Sequence, residues 1–201
     1  DQDFTDVNND ATRVEVNTIS AEMAKVRDYV PPYAVMAHRG STFWAPEETE
    51  SAWRWAREMG ADYLESDLQC TKDGVILANH DDNLKRTTNI ENVYSELVPA
   101  TRKAFYMRHG MSEAEAEKLV EADKASFRPY YAMSYMYEEL LALDAGSWFN
   151  ETSIEQARES FSEQHQYISA LEDQIRYAEG KMLPRDVNGE QLGRASCRER
   201  V

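Results

Sequence analysis

Tyr63-Leu64-Glu65-Ser66-Asp67-Leu68, Thr71-Lys72-Asp73-Gly74 and Val75-Ile76-Leu77-Ala78-Asn79-His80-Asp81 follow one another almost without interruption. The outer two runs are apolar and strand-like, with polar residues at their ends. The link between them has turn chemistry and is too short for a helical crossover, which takes roughly a dozen residues or more, so an antiparallel hairpin is predicted. Centred on that turn, the hairpin sets Ser66 opposite His80 and brings His80 beside both Glu65 and Asp67. Residues two apart share a face of a strand, so Glu65 and Asp67 point the same way. One pocket is expected to hold all three.

On the N-terminal side, Tyr33 to Ala37 is a short apolar run ending in His38-Arg39-Gly40, which predicts a buried strand with polar residues at its C-terminal end. Between the two strand regions, Glu48 to Met59 places Ala52, Trp55, Ala56 and Met59 on one side, the pattern of an amphipathic helix that Gly60 ends. Ile19, Met23, Val26 and Val30 recur at helical spacing before Pro31-Pro32, and residues 1–16, rich in Asp and Asn, read as a mobile arm. On the C-terminal side, Pro99 to Tyr135 reads as a helical insertion. Its Ser112 serves as N-cap to an acidic first turn, and Tyr130, Tyr131, Met133, Tyr135, Met136 and Tyr137 make a packed aromatic flap. A helix is expected over Ser134 to Leu143. A second opens at Ser169-Ala170-Leu171-Glu172 with capping-box spacing and ends near Gly180. Trp44, Trp53, Trp55 and Trp148 are read as core or pocket-wall residues, and His109 and His165 as surface or insertion residues.

Composition bounds the rest. The chain has 201 residues, 42% of them hydrophobic, and a net charge of −15. That suits a globular domain and argues against a nucleic-acid binder, since phosphate backbones call for Lys and Arg clusters that are missing here. No apolar run approaches the ~20 residues of a membrane-spanning helix. The chain begins at Asp1, from which processing and export to the periplasm or the exterior are expected. Gly193 to Val201, basic after an acidic body, resembles a translated sequencing adapter; residues 193–201 are taken as an artefactual tail, which leaves Cys70 as the one genuine cysteine.

The polar residues at the strand ends have complementary chemistry. Splitting a phosphodiester needs shielding of the anion, an acceptor for the attacking oxygen's proton and a donor for the leaving oxygen. His38 and His80 suit both proton roles near neutral pH. Arg39 can fork onto phosphate oxygens, and Glu65 and Asp67 offer hard oxygen ligands for Ca²⁺ or Mg²⁺. Each has an ordinary alternative. A histidine after a strand is often structural, Glu-x-Asp arises on solvated strands, and Arg39 could simply pair with Glu47 or Glu48. The ordered combination favours a site.

Ala37-His38-Arg39-Gly40, Ala45-Pro46-Glu47-Glu48-Thr49, Gly60 to Asp67, Thr71-Lys72-Asp73-Gly74 and Asn79-His80-Asp81 resemble the successive motifs of the glycerophosphodiester phosphodiesterases. Leu84-Lys85-Arg86-Thr87-Thr88-Asn89 and Asp144-Ala145-Gly146-Ser147-Trp148-Phe149 extend the likeness. One position departs from it: Glu48 stands where the family usually has asparagine.

The resemblance implies an α/β fold of the TIM-type (β/α)8 barrel kind. It also implies a divalent cation, Ca²⁺ or Mg²⁺, and hydrolysis of small glycerophosphodiesters to glycerol 3-phosphate and an alcohol. It carries acid and base roles onto His38 and His80 without saying which is which, phosphate contact onto Arg39, and metal ligation onto Glu65 and Asp67. The family's third carboxylate ligand comes from a Glu-x-Lys motif, which is expected beyond Leu192. A full barrel takes ~250 residues, and three barrel strands are recognisable here. The expectation is therefore a partial barrel over residues 17–192, truncated after about the third strand, with a helical insertion at about 99–135. Such a fragment is expected to be inactive and prone to aggregate. Two other functions share the pattern: a related barrel phosphodiesterase acting on sphingomyelin-like or lysophospholipid head groups, and a non-catalytic phosphodiester-binding protein.

Overall fold

A computed structural model of the protein describes residues 33–163 and 165–180. The arm expected over residues 1–16, the helix expected over Ile19 to Val30 and the tail at 193–201 lie outside the described residues. The chain divides into two units, residues 1–34 and 35–201, and everything below concerns the second.

Strand β1 (Met36–Ala37) pairs in parallel with β2 (Tyr63–Leu64), Met36 facing Tyr63 and Ala37 facing Leu64. The connection between them contains helix α1 (Glu50–Glu58). Thr49 caps α1, its hydroxyl accepting from the Ala52 N–H and donating to the Pro46 carbonyl. Gly60, at φ +85°, takes the left-handed turn that ends it. The buried face of α1 is Ala52, Trp53 and Ala56. Trp53 is fully buried against Ala78, Tyr177 and Leu64, whereas Trp55 and Met59, expected on that face, are exposed by 37% and 61%. Trp53 goes inward because α8 (Leu171–Ala178) packs there and supplies Tyr177. Trp55 instead stacks on Trp44 and lies under Arg158.

The run expected as one strand from Tyr63 to Leu68 is broken. After Glu65, whose N–H still donates to Ala37, the chain leaves the first sheet because Ser66 and Asp67 bond elsewhere. The Ser66 hydroxyl and the Asp67 N–H both donate to the Glu48 carboxylate, at 2.6 and 2.8 Å. The chain then resumes as β3 (Leu68–Cys70), antiparallel to β4 (Ile76–Ala78) across the Thr71–Gly74 turn. Leu68 faces Ala78 and Cys70 faces Ile76. This is the hairpin read from the sequence, in the register that would continue to Ser66 opposite His80. The Asn79 N–H donates to the Asp67 carbonyl at 2.9 Å, one step further along that register.

The main core lies beneath β4 and is built from Leu77, Leu84, Tyr135, Leu140, Leu143 and Ile168, among others. Residues 99–135 are largely helical: α3 (Arg102–Arg108) and α4 (Glu113–Ser126) follow the short α2 (Ile90–Val93). Ser112 caps α4 in a reciprocal box with Glu115. Helices α3 and α4 are held to the body by Arg102, which is fully buried. It donates to Asp123 at 2.5 Å, to both oxygens of Glu139 at 2.9 and 2.8 Å, and to the Ser134 carbonyl. Lys72, in the hairpin turn, adds a 2.9 Å ion pair to Asp123.

Two helix boundaries differ from expectation. Over Ser134 to Leu143 there is a 3₁₀ turn at Ala132–Ser134, then α5 (Tyr137–Leu140). Tyr135 interrupts them in extended conformation because its ring is buried between Tyr94 and Phe127. At α8 the cap lies one residue later than read, at Ala170, whose N–H donates to Asp173 at 2.9 Å. The short helices α6 (Ser147–Thr152) and α7 (Ser160–Glu163) precede it. Among the described residues no helix is long and apolar enough to cross a membrane.

Candidate active site

Parallel pairing places the C-terminal ends of β1 and β2 side by side, and each strand is followed at once by a candidate site residue. His38 follows Ala37 and Glu65 follows Leu64, with the Glu65 N–H donating to the Ala37 carbonyl at 3.1 Å. Strand ends of this kind leave side chains at a sheet edge, where backbone geometry fixes them and solvent can reach them. Arg39 and Gly40 then turn the chain away in left-handed conformation, at φ +57° and +85°. Glycine is required at 40: a Cβ there would stand 2.7 Å from the Ala52 Cβ.

His38, Glu65 and Asp67 converge, each offering one ligand atom within 4.8 Å of the others. The His38 Nε2 is 3.9 Å from Glu65 Oε2, and the imidazole is two-thirds exposed. Arg39 is woven into the same group. Its backbone N–H donates to Glu65 Oε2 at 3.0 Å, its Nη1 reaches Glu47 at 3.4 Å, and its Nε lies 2.9 Å from Asp67 Oδ2. The Arg39–Asp67 contact is a charge pair without hydrogen-bond alignment, so both atoms remain buried and without a hydrogen bond. The Arg39 guanidinium is the cation that faces this buried carboxylate oxygen. Glu65 and Asp67 together offer the hard oxygen donor set that Ca²⁺ and Mg²⁺ prefer. The imidazole of His38 is a poorer ligand for those ions, and suits proton transfer beside them.

His80 does not join this cluster. It lies two residues beyond β4, and its Nδ1 is 2.5 Å from Asp81 Oδ1. Arg86, quoted in the sequence within the Leu84 to Asn89 motif but given no site role there, links the two groups. Arg86 donates from Nε to Asp81 Oδ2 at 2.6 Å and from both terminal nitrogens to Glu47, at 2.7 and 3.2 Å. The Arg86 guanidinium holds the Asp81 carboxyl below its ordinary range, with the His80 hydrogen bond adding to the effect against some burial. A continuous set of ion pairs and hydrogen bonds thus runs from His80 through Asp81, Arg86 and Glu47 to Arg39.

Glu48, noted in the sequence as a departure from the family and as an alternative partner for Arg39, is a central buried group. It is 3% exposed at φ +57°, and its carboxylate gathers Ser66 and the Asp67 N–H. Burial, helped by the nearby charges of Glu65 and Asp67, pushes its pKa up to about 7 against the two hydrogen bonds. Nothing in the sequence alone marks Glu48, Glu47, Asp81 or Arg86 as joined, since the contacts between Glu47 and Arg86 span 39 positions. The other two histidines are structural: His109 bonds the Phe105 carbonyl and His165 the Leu143 carbonyl.

This geometry can be set beside known proteins. The chain is 32% identical over 126 residues to a glycerophosphodiester phosphodiesterase of Bacillus subtilis, an alignment covering 63% of this chain and 30% of that protein. It is 30% identical over 127 residues to a glycerophosphoinositol inositolphosphodiesterase of Mus musculus, covering 63% and 18%. The chain therefore spans less than a third of the length of these curated relatives. Among solved structures it is similar to an Oleispira antarctica phosphodiesterase in complex with the product sn-glycerol-3-phosphate, at 24% identity and a TM-score of 0.46, covering 73% of this chain and 40% of that one. The family model described as the glycerophosphoryl diester phosphodiesterase family matches residues 38–191, from the first histidine of the cluster onward. A match over that much of the sequence means that the chain belongs to this family.

Proposed function

We propose that the protein hydrolyses glycerophosphodiesters to glycerol 3-phosphate and an alcohol with the help of a divalent cation, on a TIM-type barrel to which these residues contribute. The observation that carries this reading is the convergence of His38, Glu65 and Asp67 at the ends of adjacent strands. Glu65 and Asp67 would hold the cation, which when bound supplies charge neutralisation at the phosphoryl oxygens. Arg39 provides a guanidinium beside those carboxylates for the phosphate's remaining oxygens. His38 and His80 divide the proton work. One imidazole takes the proton of the attacking water as its oxygen bonds phosphorus, and the other gives a proton to the alcohol oxygen as the P–O bond breaks. The names of the relatives favour this substrate class over sphingomyelin-like or lysophospholipid head groups, and over binding without turnover.

The test is release of glycerol 3-phosphate from glycerophosphocholine with Ca²⁺ or Mg²⁺ supplied. It is to be run on the 201-residue chain and, where the gene encodes more, on the longer product. Chelation is expected to abolish release, and His38→Ala and His80→Ala are each expected to lower it by about 10²–10⁴-fold. Release of choline phosphate in place of glycerol 3-phosphate would favour the head-group reading. No hydrolysis by either polypeptide would overturn the enzyme reading.

A further inference from the structure

Arg86 has no place in the chemistry above, yet it is the residue through which the two halves of the site are connected. Its guanidinium spends all three nitrogens on carboxylates: Nε on Asp81 Oδ2 at 2.6 Å, Nη2 on Glu47 Oε1 at 2.7 Å and Nη1 on Glu47 Oε2 at 3.2 Å. Its outer face lies 6.0 Å from the Trp148 ring. The pairing with Glu47 is the bidentate fork that arginine makes and lysine cannot. Asp81 turns its second oxygen to His80 Nδ1, and an ionised carboxylate only accepts. Nδ1 must therefore carry a proton, and in the neutral ring this leaves Nε2 with the lone pair. Glu47 meanwhile shares Oε1 between Arg86 and Arg39 Nη1.

We propose that Arg86 is a positioning residue: by bridging Asp81 and Glu47 it fixes the Nδ1–H tautomer and the ring orientation of His80, and registers that ring against Arg39. The inference deepens the function proposed above and rests on it for its kinetic consequence, though not for its structural one. Asp81 is aimed at His80 because a fixed cation holds its other oxygen. Without Arg86 the carboxylate is free to turn to solvent, and neutral imidazole otherwise populates both tautomers.

Two measurements test this on the full chain. Ring ¹⁵N NMR of the wild type is expected to show His80 as the Nδ1–H tautomer, and Arg86→Met to remove that preference while His109 and His165, which are bonded elsewhere, keep their signals. Asp81→Asn is expected to have the same effect on His80 and serves if Arg86→Met does not fold. In the hydrolysis assay, Arg86→Met is expected to lower kcat by about 10–100-fold with KM within about threefold. Arg86→Lys is expected to recover only part of that, and to add little to Asp81→Asn in the double variant. An Nε2–H tautomer in the wild type, or Arg86 variants that leave both the His80 signals and kcat unchanged, would overturn the proposal. Should the protein hydrolyse nothing, the proposed function fails while the tautomer measurement still decides the role of Arg86.

Discussion

Gly40 shows how little freedom the first motif has. The residue sits at φ +85°, and an added Cβ would meet the Ala52 Cβ at 2.7 Å and the Ala52 carbonyl carbon at 2.9 Å. A side chain there carries both the left-handed penalty and a clash with helix backbone, so Gly40→Ala is expected to destabilise the protein by ~2–4 kcal/mol. Chemical denaturation would check this, and a loss under about 1 kcal/mol would contradict it. The residues that carry the candidate chemistry were readable one by one, because His38, Arg39, Glu65, Asp67 and His80 fall at the ends of short apolar runs. The partners that orient them were not readable. Glu48 looked like a loop substitution, and only the fold shows its carboxylate collecting Ser66 and the Asp67 N–H.

Helices 102–108 and 113–126 pack on each other and are tied to the body by a buried charge cluster. Arg102 is fully buried between Asp123 and Glu139, themselves 6% and 3% exposed. Removing the guanidinium would strip Glu139 of its buried cation and leave Asp123 with Lys72 alone, so Arg102→Met is expected to cost ~3–5 kcal/mol in unfolding experiments, far more than any surface ion pair. The cluster also sets an acid limit. Burial alone would raise the Asp123 pKa, but the contacts with Lys72, Arg102 and Tyr106 outweigh it, and the folded value lies below the ordinary 3.8. A depressed carboxylate stabilises the fold above its unfolded pKa and loses that contribution as pH falls through the folded one. The melting temperature is therefore expected to fall as pH drops below about 4, and Asp123→Asn to flatten that slope. The Ser112 cap was legible because a capping box is local. The break at Tyr135 was not, since the ring is drawn out of helix by Tyr94 and Phe127, which no short window contains.

At the scale of the whole molecule, the described strands are short and form two separate pairs, one parallel and one antiparallel. Local sequence announced the hairpin and its register, because its turn and both strands lie within one stretch. The division of the run from Tyr63 to Leu68 between two sheets depends on Glu48, which is held by the turn after His38. Strand residues Met36 and Ile76 are exposed by 62% and 46%, and Val35, just before β1, by 58%. Threonine at positions 35 and 76 is expected to reduce self-association in sedimentation measurements, since apolar strand edges are templates for pairing. A cation held only by the folded state would stabilise the whole unit. Adding Ca²⁺ or Mg²⁺ at about 100 times its Kd is expected to raise stability by ~2.7 kcal/mol, an effect that chelation reverses and Asp67→Asn removes. The Thr71–Gly74 turn has a consequence for anyone who would redesign this protein. Lys72 reaches Asp123 and the Tyr135 carbonyl, while Asp73 receives the Tyr137 N–H at 3.0 Å. The far end of the strand that leads to His80 is thus braced by the helical segment. Cutting out residues 99–135 to shorten the protein would remove that brace together with the helices, and a minimal version has to keep the segment or replace its grip on the turn.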